Sequence, residues 1–213
     1  MALGAEPFEI LADFPGWTTA FELMARQEQS RSAAGITYVK ELGPPLWTLK
    51  AQSKVLPPNV LDHWRARLKV LEGGLYTFRA YPLSRVYPIA YPRGSWPTGA
   101  GFDGVSASLA AVNANRKAIA IGDLPAGFTF GVGDYLAIGT DLHQVLEAAV
   151  ADGAGLTAQF EVRPHIWPGV VAGGDAVAVY RPACVMALVP GSISTDASLS
   201  GWGTVSFQGI EIR

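Results

Sequence analysis

LWTLKAQSKVLPPNVLDHWRARLKVLEGGLYTFRAYP, residues 46–82, separates into strand, helix and strand. Trp47, Leu49 and Ala51 alternate with Thr48, Lys50 and Gln52, the period of two of a strand with one face buried and the other wet. Pro57 and Pro58 stop that strand and open a helix, with Asn59 a candidate cap and Asp62 near the positive end of the helix dipole. Leu61, Trp64, Leu68 and Leu71 recur every three or four residues and form one apolar stripe. Gly73 and Gly74 end the helix, and Leu75 to Arg79 are rich in strand formers. Trp47, Trp64 and Phe78 are therefore the expected anchors of the main core.

Composition narrows the class. The chain has 213 residues, and its 49% hydrophobic content is ample for a buried core. A net charge of −2 with 16% charged residues lacks the clustered Lys and Arg that nucleic-acid binding needs, so no nucleic-acid partner is expected. A single cysteine, Cys184, excludes an internal disulfide and reads as a small buried hydrophobe. The start, MALGAEPFEI, has neither a basic segment nor a continuous apolar one, and no run reaches the length of a membrane span. The expectation is a soluble chain made in the cytoplasm, with no membrane association. Abundant Gly (24) and Pro (15) between short alternating runs mark the class as mainly β.

Upstream, WTTAFELMARQEQ from Trp17 reads as a strand, SRSAAG as a turn, and Ile36 to Leu42 as the returning strand, broken by Gly43, Pro44 and Pro45. A helix over Ala20–Arg31 is the alternative, since Phe21, Met24 and Ala25 have helical spacing, but Trp17, Thr18 and Thr19 favour the hairpin. Downstream, Leu83 to Asp103 carries four prolines within or beside it and the rings of Tyr87, Tyr91, Trp96 and Phe102, which excludes a regular central strand. This loop either binds something through exposed rings or lies over the edge of the core.

From Arg116, five candidate strands follow: KAIAIG, DYLAIG, LHQVLEAAV, LTAQFEVRP and AVAVYRP, separated by turn signals. They predict a small five-stranded barrel-like module over residues 116–182. Val185, Ala187 and Val189, then Trp202 to Ile212, return to long alternation and should rejoin the first domain. The expected architecture is a β-sandwich with one flanking α-helix, formed by residues 1–115 and 183–213, with the module inserted between.

No constellation for chemistry emerges. His63, His143 and His165 have no partners at metal-ligand spacing, so neither a metal nor a cofactor is expected. Asp62 beside His63, and Asp141 two before His143, lack a nearby nucleophile. Gly99, Gly101 and Gly104 fit GxGxxG, but RGSWPT ahead of them is no strand, so the match reads as a loop. Asp134, Glu147 and Glu161 read as solvated carboxylates at strand ends. No catalytic residue is assigned, and an enzyme is not the expected class.

The layout resembles the distal tail protein family, minor tail proteins of long-tailed, non-contractile phages. The hairpin from Trp17 to Leu42, LWTLKAQ, DHWRARLKVLEGG with LYTFRAYP, and the module containing FGVGDYLAIGTDLHQVLEAAVADGAGLTAQFEVRP and VYRPA carry the resemblance, over residues 17–213. The resemblance implies a virion protein at the tail tip that assembles with itself as a ring, usually of six. Its partners would be the tail tube protein and the hub or fibre proteins, with no catalysis or cofactor. No large C-terminal lectin-like domain of the kind the best-known members carry is expected, so the resemblance does not extend to direct sugar binding. The interaction candidates are Trp17, Phe21 and Tyr38 in the ring-forming domain and Tyr87, Tyr91 and Trp96 in the aromatic loop. The rival reading is a carbohydrate-binding β-module that stacks sugars on those loop rings.

Overall fold

The structure, a computed structural model, describes residues 5–97 and 101–212, apart from the side chain of Trp17. The elements in chain order are β1 (Gly16–Arg31), β2 (Thr37–Ser53), α1 (Pro58–Lys69), β3 (Thr77–Ala80), β4 (Ala107–Val112), β5 (Ala118–Gly122), β6 (Thr129–Phe130), β7 (Tyr135–Ile138), β8 (Asp141–Val145), β9 (Ala149–Val150), β10 (Phe160–Arg163), β11 (Ala176–Ala178), β12 (Cys184–Leu188) and β13 (Ser206–Glu211). The chain is mainly β with one flanking helix, as its alternation implies. Among the described residues no helix is long and apolar enough to cross a membrane.

The main sheet has the order β1-β2-β13-β12-β3, antiparallel throughout. The C-terminal strands do rejoin the first domain, lying between the two strands of the 46–82 segment. One face is buried: Trp47, Leu49, Ala51 and Ser53 on β2 lie beside Phe207 and Glu211 on β13, while Lys50 and Gln52 face solvent. On β12 the buried face is Cys184, Met186 and Leu188, with Cys184 buried as expected, and Val185 and Ala187 lie on the other face. Register decides this, because Cys184 and Met186 stand opposite Ala80 and Phe78, both fully buried.

The helix covers this face with Leu61, Trp64 and Leu68, as its stripe predicts. Its start differs from expectation, since Pro57 holds the cap position without a side-chain bond and Asn59 lies inside the first turn. Phe14 wedges its ring edge-on between Trp64 and Phe207, at 5.2 and 5.3 Å. Gly74, at φ +112, is required after the helix: a Cβ there would stand 2.6 Å from the Leu188 carbonyl oxygen.

The hairpin is longer than the sequence indicates. Gly43, Pro44 and Pro45 do not end the strand, and β2 runs through them. The prolines are tolerated because the register slips there: Met24 faces Leu46 and Arg26 faces Gly43, leaving both prolines in a bulge. β13 pairs with β2 only from Thr48 to Gln52, so no ladder bond is lost on that side.

The second body is a closed barrel of six strands in the order β10-β5-β4-β11-β7-β8, with β6 and β9 forming a short ribbon beside it. All five expected segments contribute. The sixth strand is β4, which pairs with β5 and β11, so the barrel draws on residues ahead of position 116. LHQVLEAAV is not one strand: Leu146 N–H donates to Glu161 O, and Ala149–Val150 turns away to pair with β6.

Sheet and barrel meet at Trp47. Its indole N–H donates to Leu142 O at 2.8 Å, its backbone N–H donates to the Glu211 carboxylate at 3.0 Å, and its ring lies 5.7 Å from Tyr135. Ala137 and Leu142 of the barrel belong to the core of the sheet. The seam is therefore both apolar and hydrogen-bonded.

Candidate functional site

The residues singled out by sequence divide between core and surface. Phe21 is half-buried, with its ring 5.3 Å from Trp47. Tyr91 is buried, and its hydroxyl accepts the Thr129 N–H at 2.7 Å. Trp96 packs against Phe102, Tyr91 and Phe128, at 5.3, 5.8 and 6.0 Å. Tyr87 lies 4.8 Å from Tyr180, and their hydrogen bond pushes its hydroxyl pKa up. The aromatic loop thus packs on the barrel core, where its rings contact one another and Phe128, which in turn contacts Phe130 and through it Phe160. Gly104 permits this, because at φ +82 a Cβ would meet Tyr180 and Trp96 at 2.7 and 2.8 Å.

Asp134 is buried, not solvated at a strand end. Its carboxylate accepts the Ile89 and Gly131 N–H groups, both at 2.7 Å, and so staples the aromatic loop to the barrel. Burial pushes its pKa up, while the two N–H donors and the Arg85 charge pull it back. β8 places Asp141 and His143 two residues apart on a strand, hence on one face, and both are buried. The His143 Nδ1 lies 2.9 Å from Pro164 O. Asp62 pairs with Arg65 at 2.9 Å rather than engaging His63. Glu161 pairs with Arg163 at 3.2 Å. Among the described residues no group of three His, Cys, Asp or Glu side chains could hold a metal ion. Gly99 of the glycine pattern lies outside the described residues, and Gly104 sits in a loop.

Tyr38 is different. It stands on the outer part of the β1–β2 hairpin, 59% exposed, beside Ile36, Val39 and Leu42, each 55% exposed. The side chain of Trp17, at the opposite end of β1, is outside the described residues. Residues 37–42 pair only with β1, and neither face of this ribbon is covered. The hairpin is about 50 Å long at roughly 3.3 Å per residue, and its outer half projects as an arm. Sequence reasoning missed Ile36, Val39 and Leu42. The available signal was the pattern ITYVKEL, whose apolar residues occupy both strand faces and fit no single buried side.

The wet face of the main sheet adds a shallow groove of about 250 Å³, bounded by Thr18, Lys50, Gln52, Ser192 and Gln208. Its lining mixes polar side chains with Ala20, Ala51 and Phe207, and its Ser192 hydroxyl is already bonded to the Gln208 backbone. A comparison with protein-family models finds no match to this chain, and a comparison with curated proteins finds none either.

Proposed function

We propose that this chain is a structural adaptor of a phage tail tip, of the distal tail protein kind. It assembles with itself as a ring, of six in the usual case, between the tail tube protein and the hub or fibre proteins. The arm carries this reading. A two-stranded ribbon exposed on both faces is marginal in water, and its bare edges invite pairing with another chain. Apolar residues on both faces fit a strand pair that neighbouring copies cover. The role asks for no catalytic group or cofactor. The rival sugar-binding reading has less support, because Tyr91 is buried and Trp96 packs against other rings.

Light scattering followed by negative-stain imaging tests the proposal. The full chain should give closed rings. A variant with residues 27–42 replaced by Asn-Gly, which joins the paired Arg26 and Gly43 through a two-residue turn, should fold but remain monomeric. A full chain that stays monomeric at high concentration, or a shortened variant that still forms rings, overturns it.

A further inference from the structure

Both outer edges of the arm are bare, whereas the far edge of the main sheet is closed. At β3, Phe8 accepts the Arg79 N–H and donates to Thr77 O, and the Glu6 carboxylate accepts the Thr77 N–H and hydroxyl. The N-terminal segment thus occupies the edge that a neighbour's β1 would need. In the arm, β1 is the terminal strand of the sheet, and residues 37–42 of β2 have no strand on their other side.

We infer that copies join head to tail through the arm, the outer edge of residues 37–42 in one copy pairing with the outer edge of residues 26–31 in the next. This rests on the ring reading above and names the contact that makes the ring. Geometry favours it: β1 and β2 are antiparallel, so hairpins repeated by rotation about an axis along the strands alternate up and down without a break. Each new contact is then antiparallel, and it is confined to the arm because β13 occupies the edge of β2 from Thr48 onward. Charge agrees, since Glu28 stands opposite Lys40 within one copy. At the same level across copies, each Lys40 lies between two carboxylates and each Glu28 between two ammonium groups. A two-fold contact between β1 strands would stop at two copies and leave the 37–42 edge bare.

Cysteine cross-linking decides between these arrangements. Cys184 is 1% exposed and does not compete for reagent. Chains carrying Glu28→Cys and chains carrying Lys40→Cys are co-expressed, treated with a short bifunctional thiol reagent and sized alongside light scattering. Covalent dimers should form from the mixture and from neither variant alone. The pair Gln29→Cys and Val39→Cys, also opposite each other, should behave in the same way on the other face. Dimers from Glu28→Cys alone overturn the inference in favour of the two-fold contact. Oligomers without cross-links in either pair overturn the inference and leave the ring reading standing. Monomers throughout, including the unsubstituted chain, overturn both.

Discussion

The barrel and the arm solve the same problem in opposite ways. Each is made of antiparallel strands whose backbone groups need partners. The barrel meets the requirement within one chain, because β8 pairs with β10 and no edge remains. Its interior is filled by Phe128, Phe130, Phe160, Leu136 and Val145, all at 1% exposure or less. The arm has the longest strands in the molecule, yet its outer half has no buried side chain and two open edges. Strand pairing within the chain is thus complete in one region and left open in the other, so substitutions in the two regions should fail differently.

The largest expected effect is in the barrel. Phe128 contacts Tyr91, Phe130, Phe102 and Trp96 within 4.7 to 6.0 Å, and Phe128→Ala should cost about 3–5 kcal/mol in denaturant unfolding. In the arm, Tyr38→Ser should change monomer stability by no more than about 0.5 kcal/mol while weakening assembly in light scattering. Equal stability losses at the two positions would erase the contrast.

Next comes the seam. Trp47→Phe keeps a ring but leaves Leu142 O without its indole donor, at a cost of roughly 1–3 kcal/mol. If sheet and barrel unfold together, a single transition moves to lower denaturant. Two separated transitions would show that the seam couples them weakly. Gly104→Ala should cost about 1–3 kcal/mol, through crowding against Trp96 and Tyr180 and through its positive φ. Tryptophan emission should report the displaced Trp96 ring in the same titration.

The smallest effect is a pH dependence. The pKa of Asp134 is raised in the folded state, so the native protein binds its proton more readily than the unfolded chain does. Its contribution to stability is full below the unfolded carboxylate pKa and declines as pH rises through the folded value. Stability measured relative to Asp134→Asn should fall over that window. A relative stability that rises with pH would mean that the Ile89 and Gly131 donors outweigh burial.

Periodic segments were legible in sequence because one physical requirement dominates each of them. The 46–82 stretch has a single buried face, and its strand, helix and strand appear as the alternation and the stripe indicate. The five barrel segments were visible as short apolar runs between turn signals, although β5, β7 and β8 are buried on both faces. β4 was hidden because ASLAAV is composed of small residues whose alternation is faint, and its pairing with β5 and β11 comes from barrel closure. Pro44 and Pro45 signal a break in any local reading, and only the slipped register with β1 explains a continuous strand. At the candidate site, Tyr38 was found as part of the hairpin, but its exposure depends on the absence of covering strands. The loop rings were visible as aromatic residues, while their burial depends on barrel residues such as Phe128, far along the chain.

The chain leaves the main sheet at Ala80 and re-enters it at Cys184, its register partner on the adjacent strand. Entry and exit are therefore neighbours, and the barrel hangs from the sheet as a cassette whose two ends already meet. A lineage could exchange this cassette for another without disturbing the strand order, provided the replacement offers an acceptor for the Trp47 indole and an apolar patch in place of Ala137 and Leu142. The sheet and its arm would then be the inherited platform, and the barrel the part free to diversify.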